Sequence, residues 1–187
     1  NTDLMRGVAV CHDASGLVQW KLVCWKISDT SLQFINPIKT ILISNGASIM
    51  TPMSMLDINL VLQPSTGNYS IIDVQTGSVV SQFPLPGDSV YLIDAVTNSL
   101  GMTAMCVADS QNQQQLFIGD AKSGTWKPVW KWKASDDLSC HMVGLNTDGN
   151  ILWMGTNWAV YRVDSFGFGS NVTFPAGSYV RGLAVVN

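Results

Sequence analysis

Two histidines and four cysteines are the residues of this chain best suited to metal or nucleophilic chemistry. His12 lies between Cys11 and Asp13, and His141 follows Cys140. Each group is a fragment of a metal site, because imidazole, thiolate and carboxylate are the ordinary protein ligands of zinc. A zinc site, however, needs three or four such donors at a recognisable spacing, and neither C-x-x-C nor H-x-x-x-H occurs. Serine is abundant, yet no serine stands in a Gly-x-Ser-x-Gly elbow. The sequence therefore predicts no catalytic residue, no cofactor and no metal site.

The cysteines carry a second reading. An even number suits two disulfides in an oxidising compartment, against four buried thiols in a reducing one. Cys11 and Cys24 flank a candidate hairpin with its turn at Asp13-Ala-Ser-Gly16, which leaves Cys106 and Cys140 to pair by exclusion. Four cysteines allow three connectivities, and spacing does not choose among them. Asn68-Tyr-Ser70 and Asn171-Val-Thr173 match the acceptor for N-linked glycans. Charged residues make up 12% of the chain, about half the usual share for a soluble domain. Together these features predict a secreted or cell-surface glycoprotein, its N-terminus a mature end, since the first residues do not read as a signal peptide. A net charge of −3, with ten Lys and Arg scattered along the chain, leaves no footprint for nucleic acid or an anionic membrane. No run approaches the roughly 20 apolar residues of a membrane span.

Seven tryptophans invite a carbohydrate reading, because an exposed indole face stacks on a sugar ring. Trp126 and Trp158, near turns, are the candidates for ligand stacking. Trp20, Trp25, Trp130, Trp132 and Trp153 lie in alternating segments and are expected to fill space between sheets. Met50, Met53, Met55, Met102, Met105 and Met142 are expected to do the same around inner strands.

The elements that must hold these side chains repeat. Tyr69-Ser-Ile-Ile-Asp73-Val-Gln-Thr-Gly77 alternates, ends in an aspartate and a Thr-Gly turn, and is followed by Ser78-Val-Val-Ser-Gln-Phe83, which together read as one β-hairpin. Variants recur at Tyr91-Leu-Ile-Asp94-Ala-Val-Thr-Asn98, Phe117-Ile-Gly-Asp120-Ala-Lys-Ser-Gly124 and Tyr161-Arg-Val-Asp164-Ser-Phe-Gly167. A carboxylate at a strand end accepts N–H groups of the following turn, so Asp73, Asp94, Asp120 and Asp164 are expected to be structural turn residues. Five segments starting at 7, 52, 104, 144 and 182 share a small–large–small–large rhythm, at intervals near the roughly 40–50 residues of a propeller blade. They read as inner strands, with small residues where blades converge. The expected fold is all-β, a single domain with units at about 5–48, 49–100, 101–139 and 140–179 and an extra inner strand at 180–187.

These hairpins, with Arg181-Gly-Leu-Ala-Val185 as an inner strand, resemble the quinoprotein-like and YVTN-like β-propeller superfamily. The resemblance implies about four blades and carries no activity of its own, since such propellers include enzymes, receptors and scaffolds. The expected function is a non-catalytic extracellular structural or interaction protein. The surplus strand, an unpaired edge, suggests a homo-oligomer or filament built through strand edges. The alternatives are a lectin-like carbohydrate binder and, behind it, a fragment of a quinoprotein-like oxidoreductase.

Overall fold

The computed structural model of the chain describes residues 6–12, 19–26, 39–45, 54–57, 60–73, 76–135, 139–155, 159–164, 169 and 171–173, with side chains from Leu56 onward apart from those of Met154 and Thr173. The described residues form four antiparallel sheets in which strand order follows chain order. The first holds β1 (Arg6–His12), β2 (Gln19–Lys26) and β3 (Lys39–Asn45). The second holds β4 (Ser54–Met55), β5 (Leu60–Ser65), β6 (Asn68–Asp73) and β7 (Val79–Pro84). A short 3-10 turn at Pro86–Asp88 leads into the third, β8 (Tyr91–Thr97), β9 (Thr103–Ala108), β10 (Gln113–Asp120) and β11 (Thr125–Lys133). The fourth holds β12 (Cys140–Leu145), β13 (Ile151–Gly155), β14 (Ala159–Val163) and β15 (Asn171–Thr173). The fold is all-β, as the alternation and the density of β-branched residues require.

One turn design recurs in three hairpins. Asn98, Asp109 and Asn146 each close a turn by accepting the backbone N–H three residues on and donating to the carbonyl four residues on. In each, the side-chain oxygen also accepts the N–H four residues on, from Met102, Gln113 and Asn150. The fourth residue of each turn is left-handed: Gly101 at φ 81°, Asn112 at 57° and Gly149 at 84°. Glycine and asparagine tolerate that region, which is why the turns carry them.

The β9 strand explains the small–large rhythm at 104–107. All six of its residues are buried. Met105 and Val107 join Leu62, Tyr69 and Ile71 of the second sheet in one apolar cluster. Ala104 and Cys106 join Val143, Leu145, Ile151 and Trp153 of the fourth sheet in another. The β10 strand divides the same way, with Phe117 toward the second sheet and Leu116 and Ile118 toward the fourth. The third sheet is thus covered on both faces, and strand alternation assigns each neighbour its own set of residues. The small residues face the bulky partners, since the fourth-sheet side also takes in Trp130 and Trp132.

This corrects two expectations. The segment at 104–107 is the second strand of its sheet; the first is β8, so the third unit starts at Tyr91 instead of 101 and the second sheet ends at Pro84. The segment at 91–98, read as a third strand ending in an Asp-turn, is that first strand. The inner-strand candidates at 7 and 52 fall on β1 and β4, the one at 144 overlaps the end of β12, and the extra strand at 180–187 lies outside the described residues.

Candidate functional site

Asp73 and Asp120 behave as the repeat suggested. The carboxylate of Asp73 accepts the Thr76 N–H at 3.1 Å and its carbonyl accepts that of Gly77 at 2.7 Å. The carboxylate of Asp120 accepts the Lys122 N–H at 2.9 Å. In both turns a glycine four residues on is left-handed, Gly77 at φ 74° and Gly124 at 69°. Asp164 stands half-buried just beyond β14.

Asp94 departs from the pattern. It sits inside β8 at a register irregularity between Leu92 and Asp94, cross-strand from Cys106. Its Oδ2 accepts the N–H of Val143 on β12 at 2.8 Å. The side chain is therefore a clamp between the third and fourth sheets, where a turn residue was expected. Burial pushes its carboxyl above the ordinary aspartate value, and the N–H groups of Val143 and Ala95 partly offset that rise. A carboxyl whose folded value exceeds its unfolded value binds its proton more tightly in the folded state. Stability then falls as pH climbs from the unfolded value to the folded one, and stays lower above it. Asp94→Asn keeps an acceptor for Val143 and removes the charge. The variant is expected to be more stable than the parent at neutral pH, with no gain in strong acid. Urea denaturation midpoints at the two pH values check this, and a loss at neutral pH would show that the charged hydrogen bond outweighs the cost of burial.

Around Asp94 lies a polar group sealed between sheets. Cys106 is fully buried, and Cys140 is 4% exposed. The N–H of Cys140 donates to Oε1 of buried Gln114 at 2.8 Å. Both cysteines are free thiols, so the expected Cys106–Cys140 pair is together in space without a bond. The other expected pair does not meet within its hairpin. Cys24 is opposite Val8 and Cys11 opposite Lys21, three positions apart along β1. That offset is about 10 Å, beyond the roughly 7 Å between Cα atoms that a disulfide tolerates. His141 is exposed on β12, and His12 ends β1. Among the described residues no three His, Cys, Asp or Glu side chains gather as a metal group.

Trp126 does not stand free for a sugar. Its ring meets Tyr69 edge-on at 6.0 Å between centroids, packs on the cluster shared by the second and third sheets, and buries its indole nitrogen. Trp158 lies outside the described residues. Trp132, Trp153 and Tyr161 form a continuous stack with centroid spacings of 4.5 and 4.3 Å, and Trp153 in the middle is 3% exposed. These rings fill the space between sheets, as expected for Trp130, Trp132 and Trp153; Trp20 and Trp25 lie on β2, where the backbone alone is described. Of the two residues that match the glycan acceptor pattern, Asn171 is exposed, while Asn68 is half-buried at the start of β6 with its amide donating to the Thr66 carbonyl at 3.3 Å.

Several large apolar side chains reach solvent. Val79 is 61% and Val80 59% exposed on β7, and Tyr91, Leu100 and Val172 are similarly uncovered. A bulge explains the valine pair: Ile72 is opposite Val79 and Ile71 opposite Ser81, so Val80 is the extra residue. The same device in β11 leaves Val129 between Trp130, opposite Leu116, and Pro128, opposite Phe117. Where the turns of the third sheet meet, Leu100, Gly101, Met102, Gly119, Asp120 and Lys122 line an open cleft of about 470 Å³. Lys122, one of the lining residues, is also tied by an ion pair to Asp57, in the bend that follows β4. Sequence reasoning missed both surfaces, because neither a bulge nor a turn-to-turn cleft has a local signature.

No family model matches the chain, and no curated protein matches it. Among solved structures the fold is well represented. One is the crystal structure of a protein of unknown function from Bacteroides caccae, with a TM-score of 0.52 and 11% identity, covering 89% of this chain and 57% of that one. The chain thus spans little more than half the length of that protein. At this identity the likeness shows the fold alone.

Proposed function

We propose that the four sheets are blades of a β-propeller-like domain of quinoprotein-like and YVTN-like build, and that the chain is a non-catalytic extracellular interaction or structural module that self-associates through β7. The blade reading is supported by four successive antiparallel meanders and by β8, which lies against both β4 and β12. Contact among the first strands of neighbouring sheets is the arrangement of blades about an axis. The extracellular reading is supported by an exposed acceptor at Asn171.

The observation that carries the association reading is the contrast among the outer strands of the second, third and fourth sheets. The β11 edge presents Lys127, Lys131 and Lys133 and contains Pro128, devices that discourage strand pairing. The β15 edge is three residues long and contains the glycan acceptor. The β7 edge, Val79-Val-Ser-Gln-Phe-Pro84, has no charge, its proline stands at the last position where Pro128 interrupts the middle of β11, and its bulge turns two valines outward. A second copy meeting that edge would bury apolar surface with no charge to desolvate.

Light scattering of the native protein over a range of concentrations tests this. The expected particle mass is a multiple of the chain mass. Val80→Lys places a charge at the bulge and is expected to weaken association at least tenfold, about 1.4 kcal/mol, with the denaturation midpoint unchanged. A single-chain mass at every concentration would overturn the self-association reading.

A further inference from the structure

We infer that Cys106 and Cys140 are a redox pair that closes to a disulfide between the third and fourth sheets. The two residues come from different sheets, β9 and β12, yet belong to one apolar cluster with Leu116, Val143, Ile151 and Trp153. The Cys140 thiol is close enough to the Cys106 thiol to push its pKa up, and itself donates to the Met142 carbonyl at 3.7 Å. The surroundings hold both backbones in place. Cys106 is paired to Leu116 on one side and to Asp94 on the other, and the Cys140 N–H is anchored on Gln114 of β10. Asp94 bonds Val143 three residues further along β12, so the segment carrying Cys140 is tied to the third sheet at two points. With both strands fixed, bond formation asks the Cys140 sulfur to leave the Met142 carbonyl and turn toward Cys106.

The chemistry is thiol–disulfide exchange with a small disulfide such as glutathione disulfide. One cysteine loses its proton, attacks the small disulfide and expels one glutathione thiolate. The second cysteine loses its proton and attacks the mixed disulfide on the protein sulfur, expelling the other glutathione. The protein gives up two electrons and two protons, and one glutathione disulfide becomes two glutathione thiols. Timing follows from burial. Desolvation, the Cys140 thiol and the Asp94 carboxylate all push the Cys106 thiol up, so the folded protein holds little thiolate at that position. Neither sulfur is open to a small molecule once the sheets have closed. The bond therefore forms while the third and fourth sheets are still docking, and afterwards it is shielded from reductants as well.

The reduced, unfolded chain refolded in a mixture of glutathione and glutathione disulfide, then blocked with iodoacetamide in denaturant and mapped by mass spectrometry without reduction, tests the pair. The expected product is a peptide joining Cys106 to Cys140, lighter by two hydrogens than its reduced parts. The oxidised protein should also unfold at higher urea than the protein refolded in reductant, and Cys106→Ala/Cys140→Ala should abolish that difference. Two carboxamidomethylated cysteines, persistent glutathione adducts, or bonds from either residue to Cys11 or Cys24 would overturn the inference. The peptide map needs no variant, so it decides the matter even if the double substitution does not fold. Its outcome is independent of the mass measured by light scattering.

Discussion

Gly119→Ala is expected to destabilise the third sheet by about 3–5 kcal/mol, among the largest losses a single methyl group can cause. Gly119 lies on β10 opposite Trp126 of β11 and Thr103 of β9. A Cβ at this position would stand 2.0 Å from the carbonyl oxygen of Thr125 and 3.0 Å from both its carbonyl carbon and the Trp126 Cα. All three are backbone atoms, so no side-chain rotation relieves the clash. The hairpin must open at the Asp120–Gly124 turn, and the cluster packed on Trp126 opens with it. A urea denaturation midpoint far below the parent's is the expected result. A midpoint within a few tenths of molar would show that β11 has room to move away.

Much of this was legible in the sequence. Asp73 and Asp120 could be assigned from the chain alone because the interaction is local: aspartate, three residues, then a glycine that takes left-handed φ. Asp94 shows where local reading stops. Tyr91-Leu-Ile-Asp94 has the same pattern as the end of β6, and what separates the two is a partner 49 residues away, the Val143 N–H. The missing glycine four residues on, where Asn98 stands, was the available signal. The rhythm at 104–107 was real, but its cause is two different neighbours on two faces instead of convergence on an axis. Bulges were the other blind spot. A residue inserted at Val80 or Val129 reverses the sidedness of everything beyond it. The exposed valines and the Pro128–Val129 break in the tryptophan–lysine alternation share that origin.

Tyr69 should separate a lost hydrogen bond from a lost anchor. Its ring is fully buried, and its hydroxyl donates to the Ala121 carbonyl at 2.9 Å, in the turn between β10 and β11. The second sheet is thereby fastened to the third across 52 residues of sequence. Tyr69→Phe leaves that carbonyl buried without its donor and is expected to cost about 1–2 kcal/mol. Tyr69→Ala also removes the ring that Phe83 and Trp126 pack on, at centroid distances of 5.6 and 6.0 Å, and is expected to cost about 3–5 kcal/mol. The phenol supplies a further readout, because burial pushes its pKa from 10.0 up to about 12. The folded state holds this proton more tightly than the unfolded chain does, so stability is unaffected below pH 10, falls as pH rises toward 12 and then levels. That alkaline loss should vanish in Tyr69→Phe. The two variants should also differ in assembly, since Phe83 is the residue that seats β7 on the core, against Tyr69 and Gly124. Tyr69→Phe keeps the seat and should keep the particle mass. Tyr69→Ala frees β7 from its backing and, on the proposed association through Val79 and Val80, should lower the particle mass before the fold is lost, because that contact depends on how firmly the strand behind it is held.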